Sequence, residues 1–112
     1  MYYFEMFCLL IFAHMLADYP LQGDFLARAK NATNPIPGIP PRQALTAHAI
    51  IHGGFVGLIT GSVWFALAEV VAHWVIDDAK CHDDFNFNTD QALHFLCKFL
   101  WVAIIFVMDF ST

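Results

Sequence analysis

The chain has 112 residues, of which 59% are hydrophobic and only 13% are charged, and its formal net charge is −5. A soluble domain carries roughly 25% charged residues, so this composition argues against a soluble enzyme and against disorder. Only five residues are lysine or arginine, so the chain lacks the basic patch that nucleic-acid binding requires. Three cysteines in separate segments indicate neither a disulfide framework nor a zinc ribbon. We therefore expect one membrane domain over residues 1–112 that does not bind nucleic acid.

Four apolar stretches follow one another along the chain, separated by polar segments. They predict helices at about 2–20, 43–60, 62–78 and 89–108. Each stretch is slightly short of the ~20 residues that cross a bilayer, so polar flanks or local thinning of the bilayer complete each span. The predicted fold class is an all-α, polytopic membrane four-helix bundle. A re-entrant hairpin of the two middle helices is the alternative.

The first apolar stretch and the loop after it form the first part of the predicted bundle. No lysine or arginine precedes this stretch, and no suitable cleavage site follows it, so we interpret it as a span and not as a signal peptide. The loop at 22–42 has four prolines in its part 34–41, which exclude a continuous helix. We expect at most one short interfacial helix there, and the proline-rich part carries no motif that assigns it a role.

The basic residues of the loops predict the orientation. Arg28, Lys30 and Arg42 lie in the first loop and Lys80 lies in the third, whereas the second turn and both termini have none. Because positively charged loops stay in the cytoplasm, we expect both termini to face outward.

Ionisable residues occur inside the predicted helices in pairs four residues apart. The pairs are His14 and Asp18, His48 and His52, His73 and Asp77, and Asp90 and His94. Residues four apart share one helix face. The pairs lie at the four helix ends that an up-down bundle brings to one side. We therefore expect a polar site of eight side chains near the cytoplasmic face of the membrane.

Five imidazoles and three carboxylates at this spacing are typical of a buried metal site, because a cation offsets the cost of burying carboxylates. Mixed nitrogen and oxygen ligands favour a divalent metal, first of all Zn²⁺, with Mn²⁺, Fe²⁺ or Ni²⁺ as alternatives. One zinc ion uses about four ligands, and two ions use most of the set. The alternative is a hydrogen-bonded network that joins the helices without a metal.

Two further ionisable residues extend the polar faces by one turn. Glu69 precedes His73 by four residues, and Glu69 or an aspartate that does not bind the metal is the candidate general base. Lys98 follows His94 by four and is a candidate to neutralise a phosphate or an oxyanion. The alternatives are a protonated Glu69 bonded to a neighbouring helix and an ion pair between Glu69 and Lys98.

Small residues at regular spacing mark the second helix. Gly53, Gly57 and Gly61 form two overlapping G-x-x-x-G steps, which predict close packing of helices and a homo-oligomer through these glycines. The pair Gly61 and Ser62 predicts a tight turn. Asn88 or Thr89 is the predicted N-cap of the fourth helix.

Four strings of the chain carry a family resemblance. They are HMLADYPLQ from His14, HAIIHG from His48, HWVIDDAKC from His73 and DQALH from Asp90. In order and spacing they resemble a family of small bacterial and phage membrane proteins of unknown function. The resemblance implies a bacterial inner membrane or the membrane of a phage-infected host, and a shared polar site. The pattern is more distantly similar to inner-membrane proteins described as metal-dependent hydrolases.

Three functions are consistent with these residues. The first is a metal-dependent hydrolase that acts on a lipid, or on a lipid-linked ester, amide or phosphate, at the cytoplasmic leaflet. The second is a transporter or sensor of a metal or of protons. The third is a structural phage or bacterial membrane protein whose polar network has no catalytic role. Membrane lipids are the expected partners in each case.

Overall fold

The computed structural model describes residues 2–111 and contains five helices and no strand in that range. The helices are α1 (Tyr2–Asp18), α2 (Gly23–Ala29), α3 (Pro41–Thr60), α4 (Val63–Cys81) and α5 (Phe87–Phe110). The predicted all-α fold class is confirmed. The short helix α2 lies in the loop before the prolines, and Pro41 itself occupies the first position of α3, where its missing N–H is not needed.

Capping interactions and one glycine determine where α3, α4 and α5 begin or end. Gly61 ends α3 in the left-handed conformation, with φ +72°, and its N–H donates to the carbonyl of Gly57 at 2.8 Å. Ser62 then caps α4. At α5 the cap is Asn86, whose side-chain oxygen accepts from the N–H of Thr89 at 2.8 Å. The prediction that Asn88 or Thr89 caps this helix is wrong, because Asn86 already reaches that donor and both residues lie inside the first turn.

The four long helices pack side by side in a closed ring, in the order α1, α3, α4, α5. Helices α1 and α5 run antiparallel, since Tyr3 bonds Asp109 at one end and Asp18 bonds Gln91 at the other. The molecule is elongated, with extents of 51 × 23 × 22 Å.

The largest of these contacts joins α3 and α4, and glycine makes it possible. A Cβ added at Gly53 would lie 2.3 Å from Val70 Cγ2 and 2.8 Å from the carbonyl oxygen of Ala66, and one added at Gly57 would lie 2.9 Å from Ala66 Cβ. Both glycines therefore serve packing within the chain. A homo-oligomer stays a prediction, and it needs a surface other than Gly53 and Gly57.

The buried side chains differ between the two ends of the ring. At the end where α1 begins and α5 finishes, the core is apolar and consists of Met6, Leu10, Val56, Trp101 and Val102. At the other end five histidines and two aspartates are buried, next to small apolar side chains such as Ala49. We refer to these regions as the apolar half and the polar half.

Large apolar side chains also cover much of the outside, among them Phe12, Leu58 and Trp64. Within the described residues, α5 is the one helix long and apolar enough to cross a membrane by itself. Helices α1 and α2 meet this criterion only together, and they are bent by 83°. Helix length and hydropathy therefore do not establish the predicted four spans.

Candidate metal centre

The four predicted pairs of ionisable residues lie together in the polar half. Seven of the eight side chains are buried, and Asp18 is partly exposed. The members are His14 and Asp18 from α1, His48 and His52 from α3, His73 and Asp77 from α4, and Asp90 and His94 from α5. The spacing of four residues gives each helix one polar face, and the antiparallel ring turns all four faces inward at one level.

Asp18 is the centre of this cluster, and its two oxygens face different partners. Oδ1 lies 2.9 Å from His52 Nε2 and 3.2 Å from His48 Nε2. Oδ2 lies 3.2 Å from His14 Nε2 and accepts from Gln91 Nε2 at 3.0 Å. Gln91 was missed in the sequence. Its position next to Asp90 was the available signal, although a glutamine alone does not indicate a site.

The imidazole rings stack around His73. Its ring centroid lies 3.7 Å from that of His52 and 4.1 Å from that of His94, with nearly parallel planes in both cases. The ring of His48 lies 4.9 Å away at a steep angle. Histidines from three helices thus meet in one layer.

Four of these residues form a compact group that can hold a metal ion. One ligand atom each from Asp18, His48, His52 and His73 lies within 4.8 Å of the other three. Around a tetrahedral zinc with bonds of 2.0–2.1 Å, neighbouring ligand atoms are about 3.3 Å apart. The distances from Asp18 to His48 and His52 are already close to this value. Three nitrogens and one oxygen suit a divalent transition metal, without deciding its identity.

The unpartnered atoms of the group also fit a metal. Among the described residues, His48 Nε2 and both ring nitrogens of His73 are buried without a hydrogen-bond partner. A neutral imidazole has one donor and one acceptor, and a buried polar group left unsatisfied costs about 1–3 kcal/mol. A cation that accepts the imidazole lone pairs removes part of this cost.

Asp77 belongs to the cluster but forms an ion pair with a lysine. Lys30, which follows α2, donates from Nζ to Asp77 Oδ2 at 2.6 Å and to Gln22 at 2.5 Å. His48 Nε2 lies farther from the same carboxylate oxygen, at 3.6 Å. The structure therefore places Asp77 beside the compact group, in an ion pair that the sequence did not indicate.

Asp90, His94 and His14 lie outside the compact group, and the ring of His94 stacks on that of His73. Asp90 Oδ1 is 3.3 Å from His94 Nε2, and Asp90 Oδ2 accepts from Gln91 Nε2 at 3.1 Å. His14 Nε2 lies 3.0 Å from the amide oxygen of Gln91. One glutamine thus connects three of the eight predicted ligands.

The two candidate catalytic residues, Glu69 and Lys98, contact each other. Lys98 Nζ lies 2.5 Å from Glu69 Oε1, and both side chains are at most 1% exposed. Trp101 Nε1 donates to the same oxygen at 3.4 Å. The pair lies one turn deeper than the histidine layer, towards the apolar half, and a catalytic role for either residue stays a prediction.

A cavity of about 360 Å³ opens the polar half to the outside. Carboxylates of Asp18, Asp77 and Asp90 line it, together with Lys30 and Lys80. Glu69 and Lys98 are not among its lining residues. A small molecule that enters the cavity therefore meets the aspartates of the cluster first.

Fold and site together define an all-helical protein with a buried histidine and aspartate cluster that can hold a metal ion. Residues 6–112 match the family described as Protein of unknown function (DUF3307), and the chain belongs to this family. The resemblance to a family of unknown function is thereby confirmed. No curated protein and no solved structure matches the chain. The distant similarity to metal-dependent hydrolases has no support from these comparisons.

Proposed function

We propose that this protein is an integral membrane metal-binding protein whose centre hydrolyses a lipid or a lipid-linked ester, amide or phosphate at the cytoplasmic leaflet. One observation carries the metal part of the proposal. Fully buried nitrogens of His48 and His73 have no hydrogen-bond partner among the described residues and face Asp18 or Asp77 at distances of 3.2–3.9 Å. Zn²⁺ is the first candidate ion, because its preferred ligands are those present.

The outer surface supports four membrane spans. Leu58 is 83% exposed and Trp64 is 76% exposed, and soluble monomers rarely show a continuous apolar surface of this kind. Helix α3 has 20 residues and α4 has 19, which correspond to about 30 Å and 28 Å at 1.5 Å per residue. The inward-facing histidines of α3, and Glu69 and Asp77 of α4, lower the hydropathy of these helices, and these side chains are buried away from lipid.

Charge supports a cytoplasmic position for the centre. Arg28, Lys30, Arg42 and Lys80 all lie at the end of the ring that contains the polar half. The positive-inside rule places this end in the cytoplasm.

An apolar groove of about 470 Å³ between α1 and α5, lined by phenylalanines such as Phe7 and Phe99, suits the acyl chain of a lipid.

The cavity supports hydrolysis. A divalent ion held by Asp18 and the histidines would supply a water molecule activated as a nucleophile near neutral pH. Asp77 lines the cavity and lies outside the compact group, so it is the proposed general base, and Lys30 balances its charge. Glu69 and Lys98 neutralise each other away from the cavity, which favours a supporting role for that ion pair.

Transport is the weaker alternative. A transporter needs polar groups from one end of the ring to the other. The apolar half lies between the Glu69–Lys98 pair and the Tyr3–Asp109 bond at the far end.

The hydrogen bonds at Asp18 also fit a structural network without a metal. A measurement of metal content separates that hypothesis from the proposed metal centre.

The deciding experiment is elemental analysis of the full chain purified in detergent. We expect the wild type to retain a divalent metal and the double variant His48→Ala/His73→Ala to lose it. His82→Ala is the matched control, because His82 is exposed and lies outside the cluster. A wild type with no more metal than the double variant overturns the proposed function.

A second measurement tests hydrolysis. In vesicles that contain a labelled phospholipid, we expect wild-type protein to release the label and Asp77→Asn to retain its metal while losing this activity. Full activity of Asp77→Asn would contradict its assignment as the base. A metal-loaded wild type that cleaves none of a panel of ester, amide and phosphate lipids overturns the hydrolase part alone.

A further inference from the structure

We propose that the centre holds two divalent ions bridged by the carboxylate of Asp18, with the second ion at Asp90 and His94. This inference rests on the proposed function, because the first ion occupies the compact group around His48, His52 and His73. It gives a ligand role to Asp90 and His94, which the compact group leaves out.

The two oxygens of Asp18 point to two different sets of partners. Oδ1 faces His48 and His52 at 3.2 Å and 2.9 Å. Oδ2 faces His14 at 3.2 Å and the amide of Gln91 at 3.0 Å. A carboxylate that bridges two ions uses one oxygen for each, and ions in two-metal sites lie about 3.5–4 Å apart. The orientation of Asp18 suits this role.

Buried ligand atoms are available on the Oδ2 side. Asp90 is 5% exposed and His94 is 1% exposed, and Asp90 Oδ1 has no hydrogen-bond partner among the described residues. That oxygen lies 3.3 Å from His94 Nε2, which is close to the separation of about 3.3 Å expected for two ligands of one tetrahedral ion.

Gln91 shows that a single small group reaches both carboxylates. Its amide nitrogen donates to Asp18 Oδ2 at 3.0 Å and to Asp90 Oδ2 at 3.1 Å. A divalent cation between Asp18 and Asp90 would join the same two carboxylates. Gln91 would then rotate towards His14, whose Nε2 already contacts its amide oxygen.

Both positions border the cavity through a carboxylate. Asp18 and Asp90 line it together with Gln91, whereas the histidines of both positions lie behind these carboxylates. Two divalent ions together with Lys30 exceed the negative charge of Asp18, Asp77 and Asp90. With both ions bound, this surplus of positive charge would suit an anionic substrate group such as a phosphate.

The test counts ions in the full chain. Detergent-purified protein is stripped with a chelator, reloaded with Mn²⁺ alone, and analysed for metal per chain. We expect two equivalents in the wild type and one in Asp90→Asn and in His94→Gln. The control Asp83→Asn, which changes an exposed loop aspartate in the same way, should keep two.

Electron paramagnetic resonance gives an independent signal. Two Mn²⁺ ions that share a carboxylate couple magnetically, so the wild type should show a broadened spectrum. Asp90→Asn should show the resolved spectrum of an isolated ion. The ion that each variant retains also demonstrates that the variant is folded.

The outcomes separate the two proposals. One equivalent in the wild type, or two in Asp90→Asn, overturns the second position and leaves the first intact. Loss of both ions from Asp90→Asn and His94→Gln also overturns it, because the positions would then not be separable. A wild type that binds no Mn²⁺ and no Zn²⁺ overturns the proposed function itself.

Discussion

The polar half and the apolar half are built from the same four helices, yet they hold together in different ways. On α1 the buried face runs from Met6 through Leu10 to His14, and on α3 it runs from His52 to Val56. Each face therefore changes from apolar to ionisable within one or two turns. Packing stabilises the apolar half, whereas the polar half depends on matched charges and on hydrogen bonds. The two halves should respond to different perturbations.

The largest expected effect lies at the boundary between the halves. Lys98→Met leaves Glu69 buried without its partner, and breaking such a pair costs about 3–5 kcal/mol. The free energy of unfolding, measured in detergent by denaturant titration, should fall by this amount. The double variant Glu69→Gln/Lys98→Met should recover most of the loss, since replacing both charges removes the unpaired group. A single variant as stable as the wild type would contradict the buried ion pair.

Removal of the metal should lower the stability of the folded protein through the polar half. With free metal at about 100 times its Kd, binding stabilises the folded state by about 2.7 kcal/mol. A chelator should therefore lower the Tm of the wild type and leave the Tm of His48→Ala/His73→Ala unchanged. An equal shift in both proteins would show that the chelator acts elsewhere.

Packing of α3 against α4 gives a matched pair of glycine variants. Gly53→Ala forces a methyl group towards Val70 and the backbone of Ala66, and such overpacking typically costs about 1–3 kcal/mol. Gly54→Ala meets no atom within 4 Å and should be neutral or stabilising, because alanine favours a helix over glycine by about 1 kcal/mol. Thermal unfolding of both variants in detergent checks this, and equal stabilities would refute the close contact.

The smallest expected effect is at the start of α5. Asn86→Ala removes the cap bond to Thr89 and should cost about 1 kcal/mol. Asn88→Ala, in the same turn but without a cap bond, is the control. Both variants should retain the metal content of the wild type, because neither side chain touches the cluster. A loss of metal in Asn86→Ala would mean that the cap also positions Asp90.

Helix periodicity explains why the cluster was predictable. A spacing of four residues places His14 with Asp18, and His73 with Asp77, on one face regardless of the rest of the fold. The alternation of apolar and polar segments then brings the ends of α1 and α4 to the level where α3 and α5 begin. These two facts need no knowledge of the packing.

Contacts that depend on the packing were not predictable. The bond from Lys30 to Asp77 joins residues 47 positions apart, and it depends on where the short helix α2 packs on the bundle. The direction of each Asp18 oxygen depends on the rotation of all four helices. At the start of α5, several adjacent residues are good caps, and only the backbone turn at Asn86 decides between them.

The apolar half also bears on the direction from which a metal ion could reach the centre. Transfer of a singly charged ion from water into a dry protein interior already costs on the order of 20 kcal/mol, and a divalent ion costs more. The layer of Met6, Leu10 and Val56 is such an interior. An ion bound near His73 would therefore leave through the cavity by which it entered. The bundle is closed by its apolar core at one end and has a cavity at the other. The metal occupancy of the centre would therefore depend on the ion concentration on the side of the polar half.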